Sequence, residues 1–367
     1  MKVLIIDTVS YERAPYLKYY IEACNEQKID YDLFLWDRQK NGILTKKQHI
    51  FTFHRRCDFG SGKIKKILPM LAYRKALLRR ISEGDYTHLI LINTLASVMI
   101  SSKVFSEFTG KYIMDIRDYT YEGIGLYRKL VNKLVKKSAF TTLSSQGFFY
   151  FIEANDKIII NHNISNIKNV QEETTLGIKK PITIGFVGSV RYKNENMLLI
   201  NSLKNNPNYK LQYIGSVVSG CDLEECCKQQ NISNVEFQGK FSNDEKPNIY
   251  KSIDLINAIY GTFSLEVTTA IPNRFYDALI FKKPIIASKG TFLGQLVAEN
   301  QLGISVELNS QDITQKIEDY IQNFNKQNFE YNCEIYLEKV IQEQQAFKGY
   351  INEFLMEGSE TEQTSKS

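Results

Sequence analysis

The stretch Ile182-Thr-Ile-Gly-Phe-Val-Gly-Ser-Val-Arg-Tyr-Lys193 indicates the fold of this chain. Its first six residues are mostly apolar, a glycine follows at position 188, and a helical spacing of apolar residues begins at 194. A strand that passes through a glycine turn into a helix is typical of a parallel sheet covered by crossover helices. The alternation continues with strands predicted at 210–214, 235–237, 253–256, 284–287 and 304–306. Residues 181–330 are therefore predicted to form one doubly wound α/β domain.

The first half of the chain shows the same alternation. Helical patterns separate apolar runs at 3–6, 31–36, 88–93, 112–115, 140–143 and 157–161. The polar stretch 166–180 loses the pattern and is predicted to link this domain, residues 1–165, to the second. A helix over 333–355 is predicted to cross back onto the first domain, and the polar tail 357–367 to be disordered. The predicted fold class is α/β, with two Rossmann-like doubly wound domains facing each other across a cleft.

The composition is that of an ordinary globular protein. The chain has 367 residues, of which 43% are hydrophobic and 24% charged, so a single small module and global disorder are excluded. No apolar stretch reaches the roughly 18 residues that a membrane-spanning helix needs. The first residues lack the apolar core of a signal peptide, so we expect a cytoplasmic protein. The six cysteines include no Cys-x-x-Cys pair, and neither a metal site nor a cofactor is predicted.

Residues suited to a phosphate follow the first strand of the second half. Gly188 lets a phosphate approach the backbone beside Ser189, and the helix that follows points free N–H groups at it. Arg191 and Lys193 come next and could neutralise its charge. A plain turn with two solvated cations explains these residues equally well.

A second candidate segment is Ile271-Pro-Asn-Arg-Phe-Tyr-Asp277. Pro272 and Asn273 are predicted to open a helix. Arg274 could then meet a diphosphate at the first turn, and Asp277, one turn on, could accept hydrogen bonds from ribose hydroxyls. The alternative is that Arg274 is a surface cation and Asp277 an acid that is merely favourable near a helix N-terminus.

These motifs occur in an order that resembles a known family. Gly185-x-x-Gly-Ser-x-Arg-x-Lys193 is followed by Gly239-Lys240 after a strand, by Pro272-Asn-Arg-Phe-Tyr-Asp-Ala-Leu279 and by Lys283-Pro-Ile-Ile-Ala-Ser288. The order resembles the nucleotide-sugar domain of GT-B glycosyltransferases, especially the bacterial family 4-like enzymes of capsular and other surface-polysaccharide assembly. The resemblance covers most of residues 181–305.

The resemblance implies an enzyme that moves a sugar from a UDP- or GDP-type donor to a saccharide or lipid-linked acceptor held by the first domain. It also implies retaining, metal-independent chemistry. Carried over residue by residue, Arg191, Lys193 and Arg274 would hold the diphosphate, the first two as catalytic residues that stabilise it as it departs. Asp277 would hold the ribose, and the backbone near Lys240 would hold the base.

One position departs from the family pattern. Retaining members commonly have two acids eight positions apart; the second falls on Asp277, but the first falls on Thr269, and Glu266 is out of register. Two alternatives therefore stay open: a nucleotide-sugar epimerase of the same fold, and a non-catalytic partner subunit of an active transferase.

The acceptor side carries its own candidate residues. Met114-Asp-Ile-Arg-Asp118 ends a predicted buried strand and resembles the strand-end pattern of the family. A carboxylate there could orient or deprotonate an acceptor hydroxyl, and Asp118, the farthest past the strand, is the candidate catalytic residue. A network that braces the loop explains Asp115 and Arg117 equally well.

Positive charge is concentrated in the first half. The net charge of the chain is +5, yet residues 46–80 alone carry eleven Lys and Arg against one acid. A helix is predicted to begin at Pro69, with Lys63, Lys65 and Lys66 in the loop before it. A second basic segment spans 128–137. The block from Lys63 to Arg80 predicts peripheral binding to the anionic inner face of the cell membrane. A solvated basic face is the alternative, and nucleic acid is not predicted as a partner because no aromatic-rich recognition motif accompanies the charge.

Overall fold

The computed structural model describes residues 1–42, 44–57, 62–164, 180–218, 220–308 and 312–364, without the side chains of 63 and 359–364. The chain divides into two compact units. Unit 1 comprises Met1–His162 and Gln342–Ser367, and unit 2 comprises Asn163–Ile341. The predicted linker, 166–180, lies outside the described residues except for Lys180.

Unit 1 is built on an eight-stranded sheet. Its strands are β1 (Lys2–Ile6), β2 (Asp30–Asp37), β3 (Thr45–Lys47), β4 (Ile50–His54), β5 (His88–Ile92), β6 (Tyr112–Ile116), β7 (Phe140–Leu143) and β8 (Ile158–Ile160). The order is β3-β4-β2-β1-β5-β6-β7-β8, and every pair is parallel except β3 with β4. In the central register Val3 of β1 lies opposite Tyr31 on one side and His88 on the other. The chain therefore reverses its direction of winding between β1 and β5.

Helices cover both faces of this sheet. They are α1 (Leu17–Glu26), α2 (Lys63–Glu83), α3 (Thr94–Met99), α4 (Ser101–Glu107) and α5 (Gly125–Lys137), with two 3-10 helices at Tyr11–Arg13 and Gln146–Tyr150. Helices α2 to α5 share one apolar core on one face. Helix α1 packs on the other face together with Phe347, Ile351 and Phe354 of the C-terminal helix. The predicted return of that helix onto the first domain is thereby confirmed.

Unit 2 is built on six parallel strands. They are β9 (Ile182–Val187), β10 (Tyr209–Ile214), β11 (Val235–Gln238), β12 (Leu255–Ala258), β13 (Ile285–Ser288) and β14 (Gly303–Val306). The order is β11-β10-β9-β12-β13-β14. This is the 3-2-1-4-5-6 order of the Rossmann fold, with its reversal between β9 and β12.

The helices of unit 2 flank this sheet. They are α6 (Lys193–Leu203), α7 (Leu223–Gln229), α8 (Lys246–Lys251), α9 (Leu265–Thr269), α10 (Asn273–Ile280), α11 (Phe292–Glu299), α12 (Ile313–Gln322) and α13 (Lys326–Thr364), with a 3-10 helix at Asn243–Glu245. One core holds α6, α7 and α12, and a second holds α8, α10, α11 and the start of α13. The predicted α/β class with two doubly wound domains is confirmed.

Two helices are longer than the sequence predicted. Helix α2 begins at Lys63 rather than at Pro69, because Ile64, Ile67 and Leu68 continue the helical spacing and the Pro69 side chain is buried. Helix α13 continues to Thr364, through residues predicted to be a disordered tail. Its residue Gly358 is still packed on unit 1, where a Cβ would lie 2.7 Å from Met1 Sδ.

Candidate functional site

The carboxyl edge of the unit 2 sheet is the place where ligands are expected, because strand order reverses there. Gly188 directly follows β9, has a φ of +124°, and donates its N–H to Ile214 O at 2.8 Å. A Cβ at Gly215, which follows β10, would lie 1.9 Å from Gly188 O. The turns after β9 and β10 thus touch backbone to backbone. Ser189 follows Gly188 and is exposed, so its backbone N–H is in a region that a ligand can reach.

Arg191 and Lys193 have different surroundings, although Arg191 lies just before α6 and Lys193 is its first residue. The guanidinium of Arg191 is exposed, lies 5.5 Å from the Tyr192 ring centroid, and pairs with no carboxylate among the described residues. The ammonium of Lys193 lies 2.8 Å from Asp222 Oδ1, and this hydrogen-bonded pair raises the pKa of Lys193. Arg191 is therefore available to an anion, whereas Lys193 must first leave Asp222.

Arg274 is buried at the start of α10, where the sequence suggested a surface position as the alternative. Its Nη1 donates to Asn257 O at 2.7 Å, and its Nη2 donates to the Tyr260 hydroxyl at 2.5 Å. The guanidinium carbon lies 3.6 Å from the Phe186 ring centroid. None of the described carboxylates forms an ion pair with Arg274. A buried cation with neutral partners keeps its charge uncompensated, and such a charge favours an anionic ligand.

Arg191 and Arg274 both lie within electrostatic reach of Tyr192. Tyr192 caps α6 in the left-handed conformation, with a φ of 62°, and its ring packs edge-on against Tyr260 at 5.0 Å. Burial is the largest effect on its hydroxyl and raises its pKa, while Arg191 and Arg274 both lower it. Both cations therefore lie within electrostatic reach of one phenol beside the carboxyl end of β9.

A buried amide network fixes the loop that carries Arg191, and sequence reasoning missed it. Asn196 Nδ2 donates to the carbonyls of Arg191 at 2.9 Å and Tyr192 at 3.0 Å. Asn196 Oδ1 accepts from Asn257 Nδ2 at 2.9 Å and from the Tyr213 hydroxyl at 3.1 Å. The only signal in the sequence is a polar side chain at an inward position of a helix and another at the end of a strand.

Asp277 has an environment that the sequence did not anticipate. Lys246 Nζ lies 2.9 Å from each carboxylate oxygen, and the Tyr250 hydroxyl donates to Oδ2 at 2.9 Å. All three residues are buried. The carboxylate therefore neutralises a buried ammonium, and its predicted contact with ribose stays a prediction.

The two remaining predicted donor residues, Lys240 and Asn273, are both exposed. Lys240 is exposed in the loop after β11, and β10 separates β11 from β9. Asn273 is exposed as the first residue of α10, and its side-chain oxygen accepts from Asn163 Nδ2 at 2.8 Å. No described hydrogen bond joins either residue to Arg191 or Arg274.

Unit 1 has an acid at its own point of strand reversal. Asp7 directly follows β1, is fully buried, and accepts from Thr8 N at 2.6 Å and from the Tyr16 hydroxyl at 2.7 Å. Burial is the main cause that raises its pKa to about 7, and the charges of Asp115 and Asp118 add to this effect. Sequence reasoning passed over Asp7, although a polar residue at the end of an apolar strand was a readable signal.

The Asp115–Arg117 pair lies beside Asp7. Arg117 Nε donates to Asp115 Oδ2 at 2.9 Å, and its guanidinium lies 4.7 Å from the Tyr16 ring centroid. Its Nη1 and Nη2 are buried and have no hydrogen-bond partner among the described residues. Asp118 is exposed, in contrast. The ion pair is compatible with the bracing alternative, and the catalytic role of Asp118 stays a prediction.

Asn93 fixes the position of Asp118. It follows β5 with a φ of 61°, and its side-chain oxygen accepts from the N–H groups of Arg117 at 2.9 Å and Asp118 at 3.1 Å.

Among the described residues, no group of three or more His, Cys, Asp and Glu is placed to hold a metal ion. None of the described helices is both long enough and apolar enough to span a bilayer.

One family model and several solved structures are similar to this chain. Residues 169–333 match the family model described as glycosyl transferases group 1. No curated protein sequence matches the chain. Sucrose-phosphate synthase from Thermosynechococcus elongatus is similar in structure, with 12% sequence identity, a TM-score of 0.67, and coverage of 100% of this chain and 99% of that chain.

Two further solved structures share the fold. Anabaena Alr3699/HepE in complex with UDP-glucose is 15% identical, with a TM-score of 0.62 over 99% of this chain and 100% of that chain. A trehalose-6-phosphate synthase studied for glycosyl transfer with retention is 7% identical, with a TM-score of 0.65 over 96% of this chain and 99% of that chain. Residues 169–333 are thus similar to group 1 glycosyl transferases, and the fold of the chain is the GT-B fold. The predicted enzyme class agrees with the group 1 match.

Proposed function

We propose that unit 2 binds a nucleoside diphosphate sugar of the UDP or GDP type, and that the enzyme transfers its sugar to a saccharide or lipid-linked acceptor. The observation that carries this proposal is Arg274, a buried guanidinium without a described carboxylate partner at the point of strand reversal. Arg191 adds an exposed cation beside it. Two guanidiniums match the charge and the bidentate geometry of a diphosphate. The Anabaena protein of the same fold is described in complex with UDP-glucose.

Arg191 and Arg274 stabilise the negative charge that develops on the departing diphosphate. The glycine turn at Gly188 and the N–H of Ser189 hold a phosphate oxygen. Lys193 joins them when it exchanges Asp222 for the phosphate. The cations of the protein thus supply the stabilisation that a divalent metal would otherwise give, and we propose a metal-independent reaction.

The rest of the donor extends from this diphosphate. Asn273 lies at the N-terminus of α10, and the backbone near Lys240 holds the base. Asp277 contacts the ribose only if Lys246 gives up part of its pairing. We propose retention of configuration, since a trehalose-6-phosphate synthase of this fold is described in terms of transfer with retention.

The acceptor binds to unit 1, where Asp118 orients the attacking hydroxyl. Asn93 and the Asp115–Arg117 pair hold the loop of Asp118 in place. We propose that the pathway is the assembly of a bacterial capsular or other surface polysaccharide, carried out in the cytoplasm at the inner face of the membrane. The basic residues between Lys63 and Arg80 are suited to an anionic lipid surface.

Isothermal titration with UDP, GDP and UMP tests the donor site. Replacing Arg191 by Gln should weaken UDP and GDP binding by about 10- to 100-fold, because a charge-assisted hydrogen bond contributes roughly 1.5–3 kcal/mol. UMP should lose less, because it lacks the second phosphate. Lys228→Gln, an exposed cation of α7 that pairs with Glu224, is the matched control and should bind as the parent does. Unchanged UDP and GDP affinity in Arg191→Gln would refute the site.

A further inference from the structure

Helix α2 is apolar on two opposite faces. Tyr73, Leu77 and Ile81 are buried in the core of unit 1. On the other side, Ile64 is 83% exposed, Leu68 69% and Leu71 55%, and Ile67 is exposed as well. The spacing of these four residues places them on one stripe of the helix. A surface helix normally turns a polar face to water, so this stripe is an unpartnered apolar face.

Positive charge borders the apolar stripe. Lys75 lies one turn beyond Leu71 on the same face, and Lys65 lies beside Ile64; both are exposed and pair with no carboxylate among the described residues. Two other cations of the block form ion pairs. Arg79 Nε lies 2.6 Å from Glu83 Oε1, and Arg80 Nη2 lies 3.0 Å from Asp32 Oδ2. Lys65 and Lys75 are thus exposed cations next to the apolar stripe.

A second exposed apolar pair lies on the same helical layer. Ile124 directly precedes α5 and Leu126 lies in its first turn; both are exposed, Leu126 to 81%. Arg128 and Lys129 follow and are exposed too. In a parallel α/β sheet each crossover helix starts at the carboxyl edge of the strands. The exposed starts of α2 and α5 therefore lie at the edge where Asp118 and Asp7 are found.

We propose that α2 is an interfacial helix: Ile64, Ile67, Leu68 and Leu71 insert into an anionic lipid surface while Lys65 and Lys75 contact its headgroups. A second copy of the chain would suit the apolar stripe, but the free lysines at its border favour a negative surface. Membrane binding by charge alone belongs to the proposed function; the insertion goes beyond it and does not depend on the donor site.

This docking also places the acceptor edge against the membrane. On the buried face of α2, the Tyr73 hydroxyl donates to Asp7 O at 3.0 Å, so the helix is fixed directly to the residue that follows β1. An acceptor whose lipid tail stays in the bilayer could then present its polar head to this edge without leaving the membrane. The class of acceptor that fits this geometry is a membrane-embedded lipid with a saccharide or phosphate head.

Vesicle co-sedimentation of the full chain tests the insertion. The probes are vesicles of phosphatidylcholine alone and of phosphatidylcholine with phosphatidylglycerol in equal parts, at low and high salt. We expect binding to the mixed vesicles, with a fraction that survives high salt because apolar insertion is not screened. Replacing Ile64, Ile67, Leu68 and Leu71 together by Gln should lower the partition coefficient by at least about 10-fold and abolish the salt-resistant fraction.

Two further variants separate the contributions. Lys65→Gln with Lys75→Gln should reduce binding at low salt and spare the salt-resistant fraction. Ile335→Gln with Ile341→Gln, exposed apolar residues of α13, is the matched control and should bind as the parent does. Parental binding by the four-residue variant would overturn the proposal. The proposal would also be overturned if light scattering showed the parent to be a dimer and the four-residue variant to be a monomer. UDP titration of the same variants keeps a failure here distinct from a failure of the donor site.

Discussion

At the residue scale, Arg274 and Asp7 are buried charged groups at corresponding points of the two sheets. Arg274 lies at the reversal between β9 and β12, and Asp7 follows β1 at the reversal between β1 and β5. The two residues respond differently to the desolvation of their charged form. The guanidinium keeps its charge and favours an anion, whereas the carboxyl moves its pKa to about 7 and can hold a proton.

The raised pKa of Asp7 predicts how stability depends on pH. The folded state binds this proton more tightly than the unfolded chain, whose Asp titrates near 3.8. The stabilisation is therefore complete below about pH 4 and is lost as the pH rises to about 7, a change on the order of a few kcal/mol. Asp7→Asn should flatten this slope when urea unfolding is measured from pH 4 to pH 8. Asp156→Asn, at an exposed acid that is not among the charges raising the pKa of Asp7, is the control and should retain the slope; a parental slope in Asp7→Asn would contradict the assignment.

At the element scale, the Lys246–Asp277 pair ties the start of α8 to α10. Both side chains are buried, and the ammonium has the carboxylate as its counter-ion. Losing one partner leaves the other charge buried and unpaired, which costs about 3–5 kcal/mol. This pair accordingly gives Asp277 a structural role that competes with ribose binding.

Asp277→Asn should therefore lower the free energy of unfolding by about 3–5 kcal/mol in urea denaturation. The double variant Asp277→Leu with Lys246→Met should recover most of the loss, because it removes both charges together. If Asp277→Asn is as stable as the parent but no longer prefers a ribonucleotide over its deoxy analogue, the ribose role is the correct one.

Elements with a strong local signal were predictable from the sequence, and elements set by distant packing were not. Strand β9 has the bounds predicted, because every residue of it is buried and a glycine follows it. The pairing of β4 with β2 was not predicted, because the apolar run of β4 is short. The strand β3, which pairs with β4 on its other side, is polar and exposed and gave no strand signal. The start of α2 was predicted at Pro69, because Pro is favoured in the first turn of a helix. In the structure Pro69 is buried inside the helix, and this tertiary effect outweighs the preference of Pro for a first turn.

The candidate site was predictable in its sequence positions but not in its environment. Arg191 was named because it follows a strand and a glycine turn, Arg274 because it lies in the first turn of a predicted helix, and the order of the motifs supported both. The burial of Arg274 under Phe186, the pairing of Asp277 with Lys246 and the raised pKa of Asp7 depend on residues far away in the sequence, so no local pattern could indicate them.

At the scale of the whole molecule, the chain uses one architectural plan twice. Apart from the edge strand β3, both sheets are parallel and reverse their strand order beside the first strand of the unit. Unit 2 places cations at its reversal, and unit 1 places acids at the corresponding edge. This division of charge suits an enzyme in which one unit binds an anionic donor and the other orients a hydroxylated acceptor.

The most direct test of the central claim is a crystal structure of the full chain with UDP bound. We predict that the diphosphate lies beyond Gly188, with phosphate oxygens roughly 2.7–3.2 Å from guanidinium nitrogens of both Arg191 and Arg274. UDP bound elsewhere, or bound with its diphosphate away from both arginines, would contradict the account.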